Sequence, residues 1–306
     1  MMALRPKTFD DFCGQASVIA NLRVLVASAQ SQGKPLAHVL LVGPAGLGKS
    51  TIGMHVLPNE MGTDTRFINC AAIEKPQQLT SVLATMKHSQ ILFLDELHAL
   101  PTAAREHLLT AMEDQTISVA IGDPPNETVM QVKLQPFTVI GATTRQGMLD
   151  APLRTRFQQT LRLEPYTDEE MGQVIDFHAR DCEVMVHDMA MKLLAVCAKG
   201  VARNGVNLLH STIDTDVAQG GIGRLTKEVA VQTLDRLGFH NGLSPEEQRY
   251  VRYLFKVGTA GVRAIATALD EMPQTIEEVY EPWLLRQGWI VRGPTGRSLT
   301  EEGKKQ

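Results

Sequence analysis

The chain has 306 residues, 43% hydrophobic and 21% charged, which excludes wholesale disorder and leaves material for two or three domains of roughly 100–200 residues. A net charge of −4 gives no basic whole-chain signature of nucleic-acid binding, so any such contact must come from a local basic face. Cys13, Cys70, Cys182 and Cys197 form no CxxC pair, no apolar run reaches the roughly 18 residues of a membrane span, and residues 1–7 hold no apolar signal core, so a soluble, cytoplasmic protein is expected rather than a disulfide scaffold, zinc ribbon or membrane protein.

In chain order, residues 38–42 read as a short buried strand, followed by a glycine-rich turn and a helix opening at about Lys49. Residues 90–95 form a second apolar strand ending in an acid, and residues 137–142 a third. Helical patterns lie between them, for example over 102–113. Strands alternating with helices imply a parallel sheet covered on both faces, with the chemistry at the carboxyl ends of the strands. Residues 117–134 break this pattern and predict an inserted β-hairpin around Gly122-Asp123-Pro124-Pro125-Asn126. From about residue 167 the period is helical, over 168–180, 188–199, 203–219 and 226–236, with a linker candidate at 238–245. The last 60 or so residues predict short helices and a terminal strand pair around Gly293-Pro294-Thr295-Gly296.

Five motifs carry chemistry. Gly43-Pro44-Ala45-Gly46-Leu47-Gly48-Lys49-Ser50 matches G-x-x-x-x-G-K-[ST] between a strand and a helix, the context that makes this pattern a phosphate cradle. Backbone N–H groups curl around the phosphates of ATP, Lys49 reaches the β- and γ-phosphates, and Ser50 can ligate Mg²⁺. Gly43, Pro44, Gly46, Leu47, Gly48, Lys49, Ser50 and Thr51 are therefore the nucleotide-binding candidates. Some 45 residues on, Asp95 and Glu96 end an apolar strand: Asp95 is the Mg²⁺ candidate, and Glu96 the group that polarises the attacking water. Gly141-Ala142-Thr143-Thr144-Arg145 ends the third strand, with Thr144 placed to touch the γ-phosphate or the water, or to cap the next helix. Pro152-Leu153-Arg154-Thr155-Arg156-Phe157 offers arginines that could reach a phosphate in a neighbouring subunit. Gly200-Val201-Ala202-Arg203 opens a helix and offers one more.

The order of these motifs resembles the AAA+ superfamily, and their wording resembles the RuvB family of Holliday-junction branch-migration motors. The resemblance also rests on Leu4-Arg5-Pro6-Lys7-Thr8-Phe9, Gly14-Gln15, Ile73-Glu74-Lys75-Pro76, Ala111-Met112-Glu113-Asp114 and Thr275-Ile276-Glu277-Glu278-Val279-Tyr280-Glu281-Pro282-Trp283-Leu284. It implies an α/β fold: a P-loop AAA+ αβα sandwich over 1–164 with the inserted hairpin, a helical lid over 165–238 and a C-terminal winged-helix DNA-binding domain over 239–306. It further implies an ATPase that moves duplex or junction DNA as a homo-oligomer, a hexameric ring, beside a RuvA-like junction-binding protein. Lys49, Ser50, Asp95 and Glu96 match the Walker positions, Thr144 sensor 1, Arg156 the arginine finger and Arg203 sensor 2. Leu4, Arg5, Pro6 and the stretch 11–15 match the segment that encloses the adenine, and Arg292 and Arg297 the basic wing that touches DNA. The hairpin matches the element that engages RuvA, and Ile117, Val119 and Ile121 either form an apolar docking face or pack within the hairpin.

The chain departs from the family pattern at several places. Ala45 and Ser50 stand where proline and threonine are usual, and Gly-Val-Ala-Arg replaces Gly-Thr-Pro-Arg. The helix after Arg203 has lost its usual arginines, and Thr295 replaces an arginine at the wing tip. Each lost phosphate contact lowers DNA affinity and flattens its salt dependence. A nucleotide-switched loader or scaffold, recruited to DNA by a partner, is the competing reading; Glu96 disfavours it, since a switch needs no rapid turnover.

Overall fold

The computed structural model describes residues 5–121 and 128–306, so Leu4 and the hairpin tip lie outside the described residues. The chain divides into two compact units: residues up to Phe177 with Val201–Arg203, and His178–Gly200 with Asn204–Gln306.

The first unit is built on strands β1 (Val39–Val42), β2 (Thr65–Asn69), β3 (Ile91–Asp95), β4 (Thr116–Ile121), β5 (Thr128–Lys133), β6 (Thr138–Thr143) and β7 (Gln159–Arg162). β2, β3, β6, β1 and β7 form, in that spatial order, one parallel sheet. β1 and β6 are buried along their whole length and β3 until Asp95, which is why all three stand out as apolar runs. β2 and β7 lie at the sheet edges, only partly buried, and their mixed composition gave no strand signal. One core links Leu40, Leu92, Leu94 and Val139 of the sheet to Leu108 and Met112 of the Thr102–Asp114 helix.

The helix behind the phosphate-binding loop is α-helical at Lys49–Thr51, widens to a π-turn at Ile52–Val56 and continues at Leu57–Met61. Gly53 in the widened turn lies against the ring of Phe93, where a Cβ would fall 2.2 Å from Cδ2. Only glycine lets this helix lie so close to β3.

β4 and β5 form the expected antiparallel hairpin, with Ile117 opposite Val132 and Val119 opposite Met130. Its apolar face is not a free docking surface at the base. Ile117 is 1% exposed and belongs to the sheet core, and Val119 and Val132 pack against that core. Opposite residues of an antiparallel pair share a face, and among the described residues this face turns outward at Met130, which is 50% exposed. The side chain of Ile121 lies outside the described residues.

The second unit opens with helices Asp188–Ala198, Ala202–Ala218 (from Asn204) and Lys227–Arg236, beside a parallel strand pair, β8 (Met185–Val186) and β9 (Arg224–Leu225). Then come helix Pro245–Val257, β10 (Thr259–Ala260), helix Val262–Leu269, a helical run from Pro273 to Arg286, and the hairpin of β11 (Ile290–Gly293) and β12 (Gly296–Leu299). β10, β12 and β11 form a three-stranded antiparallel sheet over a core that includes Tyr250, Ile265, Trp283 and Leu284. Lys199, in the left-handed cap of helix Asp188–Ala198, ties the two parts of this unit together. It pairs with the buried Glu247 and lies 5.1 Å from the ring centroid of Trp283, while Arg286 donates to its carbonyl at 2.7 Å. No helix among the described residues is long and apolar enough to cross a membrane.

Gly53→Ala tests the close approach of helix and sheet. Alanine is the better helix former, yet overpacking against Phe93 costs about 1–3 kcal/mol, so the melting temperature should fall. A Phe93→Leu change in the same chain should recover part of the loss, because it removes the atoms in the way.

Candidate functional site

Because β6 lies between β1 and β3, the carboxyl ends of these three strands are neighbours. Val42 is in register with Thr143, and Leu94 with Gly141. The loop after β1, the acids after β3 and the threonines after β6 therefore converge on one edge of the sheet. This is the crevice in which open α/β sheets bind ligands.

The loop needs its glycines. Gly48 has φ 103°, and a Cβ there would fall 2.8 Å from the ring of Phe12. Gly46 has φ 80°, and a Cβ would fall 2.7 Å from Val201 and 3.1 Å from the Cβ of Arg203. The Arg203 N–H donates to the Gly46 carbonyl at 3.2 Å, so Arg203 sits directly beside the loop, its side chain exposed. Lys49 is 6% exposed, and its Nζ donates to the carbonyls of Gly43 at 2.7 Å and Pro44 at 2.8 Å. Ser50 and Thr51 are half-buried on the first helical turn.

Behind the loop, Leu47 is fully buried, and its carbonyl accepts from the Tyr166 hydroxyl at 3.0 Å. Gln15 clasps the backbone of Glu164 with both ends of its amide, at 2.6 Å and 3.1 Å. Arg5 is exposed and lies 3.2 Å from Nε2 of His55 on the helix after the loop. The N-terminal segment thus reaches the loop and its helix, through Phe12 at Gly48 and Arg5 at His55. The part played by Tyr166 carried no sequence signal, because a lone tyrosine after an edge strand looks like any other.

At the end of β3 the backbone of Glu96 turns left-handed, with φ 50° and ψ 51°. One carboxylate oxygen, Oε2, accepts from the Thr144 hydroxyl at 3.1 Å and from the Thr144 N–H at 3.4 Å. Nδ1 of His98 lies 3.2 Å from the same oxygen and 3.0 Å from the hydroxyl of the fully buried Thr143. Thr144, rather than Thr143, thus reaches the acid. His98, two residues past Glu96, was not among the candidates that the sequence offered.

The electrostatics of this edge are strained. Burial, and then the neighbouring Glu96 carboxylate, push the Asp95 pKa above its ordinary value. Burial pushes Lys49 below the usual lysine range, and Arg203 adds to this, while Glu96 and Asp95 oppose it. The two carboxylates and the half-buried Ser50 hydroxyl of the adjacent strand edge are hard oxygen donors, the chemistry that fits a small divalent cation such as Mg²⁺.

Arg156 is not part of this cluster. It pairs with Glu113 at the end of the Thr102–Asp114 helix, and its Nε is buried with no hydrogen-bond partner among the described residues. It lines a cavity of about 500 Å³ with Lys34, His38, Phe137 and Gln158. His38, Phe137 and Gln158 stand just before β1, β6 and β7. Arg156 therefore lies at the amino edge of the sheet, opposite to the phosphate-binding loop.

The wing arginines are tied inward. The carboxylate of Glu281 is wholly buried and accepts from Nε of Arg292 at 2.7 Å, Nε of Arg297 at 2.9 Å and the Tyr250 hydroxyl at 3.0 Å. Arg297 also donates to Glu277 at 2.6 Å, and its side chain is 13% exposed against 44% for Arg292. Arg297 thus holds the hairpin to the helix below it, and Arg292 keeps the more accessible guanidinium.

Residues 4–163 match the family described as the Holliday junction DNA helicase RuvB P-loop domain, and residues 240–306 match the RuvB C-terminal winged helix domain. The chain is 38% identical over 303 residues to the Holliday junction branch migration complex subunit RuvB of Kosmotoga olearia, covering 98% of this chain and 88% of that protein. It is 37% identical over 305 residues to the subunit of the same name from Paracoccus denitrificans, covering 98% and 89%. Among solved structures, the Thermotoga maritima RuvB Holliday junction branch migration motor matches with a TM-score of 0.85 at 32% identity, covering 98% of this chain and 97% of that one. A point mutant of the same Thermotoga protein matches with a TM-score of 0.87, covering 99% and 98%.

Two outcomes follow from these charges. Arg297→Ala strands part of a buried carboxylate and should cost about 3 kcal/mol, the low end for a broken buried pair, because Arg292 and Tyr250 remain. A melting curve and a DNA titration separate this from a contact role, in which stability stays put and only DNA affinity falls. For Asp95, a raised folded-state pKa means that the folded chain holds the proton more tightly than the unfolded one. The stabilising contribution is complete below 3.8 and lost as pH rises through the folded value. Asp95→Asn should therefore raise the melting temperature at pH 7, with a gain that shrinks as pH falls towards 4.

Proposed function

The chain belongs to the RuvB family, and on that premise we propose that it is an ATP-hydrolysing motor subunit that moves duplex DNA at Holliday junctions. The observation that carries the reading is the convergence of Lys49, Asp95 and the Glu96–Thr144 pair on one strand edge. The matches along nearly the whole chain support it, in the nucleotide-binding region and in the winged helix alike.

ATP is the substrate. The loop N–H groups and Lys49 receive its phosphates, and Lys49 exchanges its two carbonyl partners for phosphate oxygens. Arg5, Pro6 and the stretch 11–15 close over the base. Ser50 and Asp95 would hold Mg²⁺, which would supply charge neutralisation at the transferred phosphoryl group. Glu96 accepts hydrogen-bond density from the attacking water, and Thr144 fixes one of its oxygens. Arg203 reads the nucleotide from beside Gly46.

Arg156 lies at the wrong edge of the sheet to serve the site of its own subunit. Set against a second copy, the same position brings it to the neighbour's phosphates, where it stabilises developing charge. This geometry favours a closed homo-oligomer, which we take as a hexameric ring. The working division is the nucleotide-binding domain at 1–164, the lid at 165–238 and the winged helix at 239–306. Hydrolysis moves the lid segment, and the winged helix follows along duplex or junction DNA through contacts to phosphates. Arg292, rather than Arg297, makes the wing contact. The hairpin meets a RuvA-like partner through its outer apolar face at Met130. We place the motor in the cytoplasm.

The loader reading is kept apart from this one by turnover. ATP hydrolysis measured alone, with linear duplex and with junction DNA plus a RuvA-like protein should rise with DNA, and labelled junctions should be resolved into duplex products. Glu96→Gln should keep nucleotide binding and lose about 10²–10⁴-fold in rate. Arg156→Ala should lose about 10³-fold or more, with binding intact and recovered activity in rings mixed with Lys49→Ala subunits. Assembly on DNA that survives Glu96→Gln, with no strand movement by the unmodified protein, would point to the loader instead.

A further inference from the structure

His98 carries no role in the reading above. Its surroundings define one. After β3, the left-handed backbone of Glu96 reverses the chain into the turn Leu97–Ala99, closed by the Ala99 N–H on the Glu96 carbonyl at 2.8 Å. A non-glycine residue in this conformation is held there against a preference for other backbone angles. The turn is fixed from outside by Arg105, whose Nη2 donates to the His98 carbonyl at 3.0 Å and whose Nε donates to the Leu100 carbonyl at 2.7 Å. The result brings the imidazole back over the residue two positions earlier. Its side chain is only 14% exposed, and Nδ1 faces two oxygens, Oε2 of Glu96 and Oγ1 of Thr143.

The tautomer follows from these neighbours. A bare ring nitrogen beside a carboxylate oxygen repels it, whereas an N–H attracts it. The arrangement is favourable with the proton on Nδ1, which hydrogen-bonds to Oγ1 of Thr143 at 3.0 Å and sets the positive end of the N–H dipole 3.2 Å from Oε2. Oε2 itself accepts two hydrogen bonds, from the hydroxyl and the N–H of Thr144. These contacts converge on one oxygen and leave Oε1 to take the water.

We propose that His98 is a positioning residue for Glu96: held by Thr143, its Nδ1–H lies 3.2 Å from Oε2, attracts that oxygen and so directs Oε1 at the attacking water. This rests on the assignment of Glu96 to hydrolysis. The role resembles that of an outer group orienting an inner one, whose loss lowers turnover without touching substrate binding.

The two ring nitrogens allow a positional test. In His98→Asn the side-chain N–H₂ sits about where Nδ1 sat, whereas in His98→Gln it sits where Nε2 sat; His98→Leu keeps bulk and offers no donor. Steady-state ATP hydrolysis by the full chain is measured beside the affinity of a fluorescent ATP analogue. His98→Leu and His98→Gln should lose about 10–100-fold in kcat with analogue affinity within twofold, and His98→Asn should recover to within about fivefold of the unmodified protein. The Asn and Gln variants, both polar, decide the matter even if His98→Leu does not fold. Equal kcat in the Asn and Gln variants, whether both high or both low, overturns the proposal. So does a loss that follows analogue affinity. No hydrolysis by the unmodified protein overturns the ATPase reading itself, which is a different failure.

Discussion

The placing of β6 between β1 and β3 is the constraint on which the rest depends. A parallel sheet needs crossover connections, and the order in which strands are inserted decides which carboxyl ends meet. Here three ends meet whose next residues are a glycine loop, two acids and two threonines. None of the three has a hydrolytic arrangement by itself. Gly53 serves the same end from the other side, since its lack of a side chain lets the helix behind the loop lie against Phe93 of β3. The phosphate-binding loop and the acids are thereby held to one rigid scaffold.

That edge gives up stability for chemistry. Asp95 would gain from a proton, and Lys49 is buried where burial disfavours its charge. Paired charges elsewhere in the chain show the opposite design. Glu281 is more buried than Asp95, yet two arginines and a tyrosine satisfy it, and Lys199 finds a carboxylate and an aromatic face. Charges that are unmatched at the strand edge and matched in the wing sort the functional groups from the structural ones. On that criterion Arg297 belongs to the scaffold, although its place in the hairpin looks like that of a DNA contact.

The sequence made the centre of the first unit legible and its rim obscure. Val39–Val42, Ile91–Asp95 and Thr138–Thr143 are buried on both faces, so each reads as an apolar run. Thr65–Asn69 and Gln159–Arg162 are edge strands with mixed surroundings and no such run. Thr144 was legible as a polar residue at a strand end, but its contact with Glu96 was not, since nothing in the sequence pairs two residues 48 positions apart. The alternation at Ile117, Val119 and Ile121 was legible as strand but not as surface or core. Period alone says which residues share a face, and only the sheet beneath says that Ile117 is covered. Tyr166 was invisible for a related reason: its hydroxyl acts on the Leu47 carbonyl, 119 residues away in the chain.

The two edges of the sheet have a consequence for how activity is controlled. In a single subunit Lys49 and Arg156 sit at opposite strand ends, and Arg156 is occupied by Glu113. Neither the phosphate-binding loop nor Arg156 can complete the other within one chain. On the proposed function, an isolated subunit would bind nucleotide and hydrolyse it slowly. Assembly would supply the missing positive charge, and the new partner would have to outcompete an exposed carboxylate for Arg156. A nucleotide phosphate carries more charge than Glu113 and would meet the guanidinium away from bulk water, so the exchange would run towards the assembled state. Hydrolysis would reverse it by removing the phosphoryl group that held the arginine. On that proposal the same contact joins subunits and releases them, which is what a motor that passes DNA from one state to the next requires.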